Sequence, residues 1–85
     1  MYKLYVANLK TEKILKNYLD LRKGISKRLD RLRENPYKNC GAHKLHGRFK
    51  DKYACWLGAN IRMIYSIKDK ENLIIVEAVG GHKIY

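Results

Sequence analysis

The chain changes its hydrophobic period once, and that change limits its fold more than anything else in the sequence. From Leu9 to Glu34 apolar residues recur at helical spacing; from Ala42 onward they alternate or run together as in strands. Ile14, Leu15, Tyr18 and Leu19 form one helical stripe. Ile25, Leu29 and Leu32 form a second, opposite Lys27, Arg28, Asp30, Arg31 and Arg33. A break between Asp20 and Gly24 divides the stretch into two helices. Pro36 ends the second, because it disfavours helical geometry at Asn35.

Strand-like segments flank the helices. Tyr2–Val6 reads as a short first strand, with Leu4 and Val6 on one side and Lys3 and Tyr5 on the other. Pro36 to Gly41 reads as a loop. Four more candidates follow at Ala42–Gly47, Tyr53–Leu57, Ile61–Ile67 and Leu73–Val79. Gly58-Ala59-Asn60 and the polar run Lys68–Asn72 supply the turns. Leu73–Val79 is almost wholly apolar, which predicts a central strand covered on both faces. Segregated helices and strands imply an α+β fold. The expected architecture is an N-terminal strand and a two-helix hairpin packed on an antiparallel sheet of three to four further strands. With 85 residues, one domain spanning 1–85 is expected.

Charge narrows the function. Nineteen Lys and Arg face eight Asp and Glu, giving +11 at pH 7. A domain this basic attracts polyanions and speeds encounter with them. Apolar residues make up 46% of the chain, enough for a core despite the charge. Cys40 and Cys55 match no metal-site spacing, and free thiols are the default reading. The first residues lack the apolar run of a signal peptide, and no stretch reaches membrane-spanning length. A cytoplasmic protein with no membrane partner is expected.

Several residues suit RNA chemistry. Lys44, Arg48, Lys50 and Lys52 lie close in sequence to Phe49, Tyr53 and Trp56. Cations bind phosphates and aromatic faces stack unpaired bases. Arg62 interrupts an apolar strand, so it must reach a solvated face or a charged pocket. Its planar fork fits two phosphate oxygens; the alternative is an ion pair with Glu77. His82 and Tyr85 follow the Gly80-Gly81 pair, and histidine exchanges protons near neutral pH. The eight carboxylates are scattered, so a metal-dependent nuclease site is hard to build, and neither metal nor other cofactor is expected. RNA carries its own nucleophile, so geometry, a proton acceptor and donor, and positive charge suffice for cleavage.

Lys44-Leu45-His46-Gly47, Tyr53, Ile61-Arg62-Met63-Ile64-Tyr65, Val79-Gly80, His82 and Tyr85 occur in the order of a known pattern. Taken together they resemble the RelE branch of the RelE/ParE toxins over essentially the whole chain. The resemblance implies a compact RelE-like fold and the toxin of a type II toxin–antitoxin system. It implies a ribosome-dependent, metal-independent endoribonuclease that cleaves mRNA, restrained by an acidic, RelB-like antitoxin. Carried over by position, Arg62 stabilises the transition state, Tyr85 stacks on or activates the substrate, and His82 is an acid/base candidate. Ala54 and Trp56 stand where the RelE branch has two lysines, while Lys50 and Lys52 precede Tyr53 instead. His43 and His46 fall where the YafQ-like branch carries a histidine, so His46 joins His82 as a candidate for proton transfer, ahead of His43. Two other functions fit the same pattern: a ParE-like topoisomerase inhibitor, and a non-catalytic RNA- or ribosome-binding module.

Overall fold

Asn8 starts the first helix: its side chain accepts a 2.8 Å hydrogen bond from the Thr11 amide, and Glu12 complements the positive end of the helix. A computed structural model describes residues 1–58 and 60–81. The elements are β1 (Lys3–Val6), α1 (Leu9–Leu21), α2 (Gly24–Glu34), β2 (His43–Lys44), β3 (Tyr53–Gly58), β4 (Ile61–Lys68) and β5 (Leu73–Gly80). The helical stretch divides within the expected window, and Pro36 lies just beyond α2. Arg31 and Arg33 sit in the last turn of α2, where cations are favoured.

The five strands form one mixed sheet in the order β1-β5-β4-β3-β2. The two helices carry the chain from the β1 edge to the β2 edge. Strands β2 to β5 return as an antiparallel meander, and β5 closes beside β1 in parallel. On the way α1 packs on β5 and α2 on β3, so both helices cover the same face of the sheet. Beneath them lies the apolar cluster, in which Ile25, Leu29 and Leu32 meet Leu57, Met63 and Tyr65. The Tyr65 hydroxyl is buried there and donates a 2.7 Å hydrogen bond to the Pro36 carbonyl. At the surface, Tyr2 and Tyr37 both donate to the Asp69 carboxylate, at 2.6 and 2.5 Å. These bonds tie the β4–β5 turn to the N-terminus and to the loop after α2. Among the described residues no helix is long and apolar enough to cross a membrane.

Two strand expectations need correction. β5 lies inside the sheet, but Leu73, Ile75, Glu77 and Ala78 on its other side are only half-buried. Helices cover one face, so an apolar strand here marks interior position rather than double coverage. The strand expected over Ala42–Gly47 contracts to His43–Lys44. Gly47 and Asp51 take left-handed φ values of 70° and 71°, which turn the chain through a short 3₁₀ segment at Gly47–Phe49. Only the 2.9 Å bond from the Leu45 amide to the Lys52 carbonyl prolongs the pairing.

Candidate nucleic-acid interface

The helix-free face of the sheet follows from the register. Met63 and Tyr65 belong to the core, so alternation along β4 turns Arg62, Ile64 and Ser66 the other way. Trp56 pairs directly with Arg62, and Ala54 with Ile64. Directly opposed residues share a face. His43 pairs with Ala54 and therefore joins them. Ala54 and Ile64 are buried and form an apolar floor between two polar ends.

Arg62 occupies one end. Its guanidinium carbon lies 4.1 Å from the Trp56 ring centroid, a cation–π contact. Arg62 also pairs with Gly80, the last residue of β5, so the chain leaves the sheet beside it. The other end holds an ion pair missed by sequence reasoning. The Lys52 ammonium lies 2.5 Å from Glu77 and 3.3 Å from the Ser66 hydroxyl, and Ser66 donates to the same carboxylate. A β-bulge creates this site. Ile64 pairs with Ala78 and Tyr65 with Val76, so Glu77 is the extra residue and shares the helix-free face with Ala78. The one signal in the sequence was a lone carboxylate inside an apolar strand. The sequence offered a Glu77 pair with Arg62 only as the alternative to phosphate contact; Lys52 is the cation that pairs with Glu77.

Burial alone would push the Glu77 carboxyl up. Donors from Lys52 and Ser66, with the charges of Lys52 and Lys68, outweigh it and hold the group below the usual glutamate range. A lowered folded pKa adds stability at pH values above the unfolded pKa, and this is lost as pH falls through the folded value. Acid titration should therefore lower the melting temperature below about pH 4.5, the ordinary value of the group. Glu77→Gln should flatten part of that decline, leaving the share due to Asp69, which Tyr2 and Tyr37 also hold low. Parallel acid profiles for the two proteins would remove Glu77 from the account.

The remaining candidates are spread around this face. Lys44, Arg48 and Lys50 are exposed on or beside the β2–β3 connection, and Arg48 sits 5.1 Å from the Phe49 ring centroid. His46 is exposed immediately before the 3₁₀ turn. His43 is exposed, and its Nδ1 lies 3.1 Å from the Gly41 carbonyl. Register thus brings His43 closer to the Arg62 face than sequence order suggested. His82 and Tyr85 lie outside the described residues. Cys40 and Cys55 are free thiols, and burial pushes Cys55 up to about 12. Among the described residues no three His, Cys, Asp or Glu side chains come together as a metal site.

No family model matches the sequence, and no curated protein matches it significantly. Solved structures do. A metal-bound toxin from Helicobacter pylori is 31% identical with a TM-score of 0.73, and the match covers 100% of both chains. The YoeB–YefM complex from Staphylococcus aureus matches at 16% identity and a TM-score of 0.73, over 96% of this chain and 98% of that one. YafQ from E. coli matches at 18% identity and a TM-score of 0.68, over 96% and 94%. The chain belongs to the RelE/ParE superfamily of type II toxins. In this RelE/ParE toxin the helix-free face carries an arginine stacked on a tryptophan at one end and a lysine–glutamate pair at the other.

Proposed function

We propose that the chain is the toxin of a type II toxin–antitoxin pair and cuts mRNA on the ribosome by promoting attack of the ribose 2′-hydroxyl on the adjacent phosphate. The observation that carries this reading is Arg62, a cation standing on the helix-free face of the sheet opposite Gly80. In the step proposed, the 2′-oxygen–phosphorus bond forms and the bond from phosphorus to the 5′-oxygen breaks. One proton leaves the 2′-hydroxyl and another reaches the departing 5′-oxygen. Arg62 binds the phosphate and offsets the charge that builds on it. His82, two residues beyond Gly80 in sequence, is a proton carrier with His46 and Tyr85; His43 joins them because of its place in the register. Lys44, Arg48 and Lys50 hold the RNA backbone electrostatically. Lys52 already faces Glu77, so it brings less net charge to RNA than an unpaired lysine would.

The partner would be a separate acidic protein. A +11 surface favours a chain of opposite charge, and the Staphylococcus aureus relative is a YoeB–YefM complex. To test the function, the purified protein is added to translating ribosomes and the mRNA ends are mapped. The proposal predicts 5′-hydroxyl ends with 2′,3′-cyclic or 3′-phosphates. Ends bearing 5′-phosphate and 3′-hydroxyl would overturn the chemistry. Intact mRNA with trapped topoisomerase–DNA complexes would support a ParE-like inhibitor instead, and salt-sensitive binding without scission a plain RNA-binding module.

A further inference from the structure

We propose that Lys52 and Glu77 form a base-reading site that selects guanine at a nucleotide adjoining the cut; this rests on the reading that the helix-free face binds and cuts RNA. Ser66, which bonds to both residues, lies four positions along β4 from Arg62, about 13 Å at strand spacing. The arginine side chain and one nucleotide together can span that interval. Backbone contacts hold both residues in place. The Lys52 amide donates to the Phe49 carbonyl at 3.0 Å, and the Lys52 carbonyl accepts from the Leu45 amide at 2.9 Å. Glu77 is the extra residue of the β5 bulge, and its carbonyl accepts a 3.3 Å hydrogen bond from the hydroxyl of buried Thr11 in α1. Bulges re-aim side chains, and this one turns a carboxylate onto the face where RNA would lie. A part-exposed ion pair adds little stability, so folding alone gives weak reason for it.

The cluster keeps hydrogen-bonding capacity. An ammonium has three donors, and among the described residues Lys52 directs two, to Glu77 Oε1 at 2.5 Å and to the Ser66 hydroxyl at 3.3 Å. Among the same residues each carboxylate oxygen accepts from one side chain, Oε1 from Lys52 and Oε2 from Ser66, and has a lone pair for a second donor. Both side chains reach solvent, at 32% and 28% exposure. Despite burial, the donors from Lys52 and Ser66 keep the Glu77 carboxyl below the usual glutamate range, so it is ionised and only accepts. The site therefore offers one donor followed by two acceptors. The Watson–Crick edge of guanine presents the complementary row: O6 accepts, then N1–H and N2–H donate. Adenine sets a lone pair at N1 and has no donor at C2. Uracil and cytosine set the acceptor O2 against the second carboxylate oxygen. Unpaired RNA bases are read on this edge.

The test measures binding of dye-labelled uridine oligomers by fluorescence anisotropy. Each carries one central guanosine, inosine or adenosine, with 2′-deoxyribose there and at its 5′ neighbour to prevent cutting. Guanosine should bind about ten- to a hundredfold more tightly than adenosine, the usual worth of a two-point base contact. Inosine lacks the N2 donor and should fall between them. Glu77→Gln should remove the guanosine advantage, because its amide nitrogen donates where guanine also donates. The base series uses the unaltered protein, so it decides the matter even if the variant fails to fold. Equal binding of the three bases overturns the proposal, as does a guanosine preference that persists in folded Glu77→Gln. Cleavage on translating ribosomes is a separate readout, in which cuts should concentrate beside guanosine. A guanosine preference without scission would keep the base-reading site and sink the nuclease reading. Scission with no base preference would do the reverse.

Discussion

Arg62→Ala is expected to slow cleavage about a hundred- to a thousandfold, the usual cost of removing one preorganised group that stabilises transition-state charge. The fold should survive, because Arg62 lies on the helix-free face and the core cluster sits beneath the helices. Arg62→Lys should restore only part of the rate. An ammonium keeps the charge but loses the planar fork and stacks less well on Trp56. The signature of this change differs from that of the outer cations. Replacing exposed Lys44 or Lys50 should weaken RNA binding and reduce its salt dependence, with little effect on the rate of the bound complex. Single-turnover cleavage at saturating protein separates the two classes. Equal losses for Arg62 and Lys44 in that assay would make Arg62 one backbone contact among several.

Tyr65→Ala should cost about 3–5 kcal/mol of folding stability, a large share of what a chain of this size possesses. Tyr65 is fully buried near the centre of the sheet, stacked at 6.1 Å on Tyr53, and its hydroxyl reaches the Pro36 carbonyl. It thus joins β4 to the loop that leaves α2. Tyr65→Phe keeps the ring and should cost about 1–3 kcal/mol, the penalty for an unsatisfied buried carbonyl. Burial pushes the Tyr65 hydroxyl far above its ordinary range. That hydroxyl is buried on the core side and engaged with the Pro36 carbonyl, although it lies three residues from Arg62. Urea unfolding monitored by circular dichroism gives both numbers. A Tyr65→Ala protein as stable as Tyr65→Phe would show that the ring packs less tightly than this.

Period and punctuation made most of the elements legible. Ile25, Leu29 and Leu32 face the core as their spacing indicates, and Gly24 and Pro36 bound α2. Pairing was not legible in the same way. The parallel contact between β1 and β5 joins residues about seventy apart, and no local pattern encodes it. Glu77 reaches Lys52 only because a bulge turns it onto the helix-free face. Arg62 stood out in the sequence as a cation among apolar neighbours, but its partner did not. The Trp56–Arg62 pair exists because the β3–β4 register shifts at Leu57. His43 illustrates the same limit: sequence placed it beside His46, whereas one ladder position sets it on the Arg62 face.

A single 2′-deoxy substitution in the mRNA tests the central claim most directly. Placed at the nucleotide 5′ to the cut, it removes the proposed nucleophile and leaves every protein contact intact. The account predicts that scission at that bond stops while binding persists. Continued cutting there at the normal rate would mean that water or a protein group attacks the phosphate, and the proposed chemistry would be wrong.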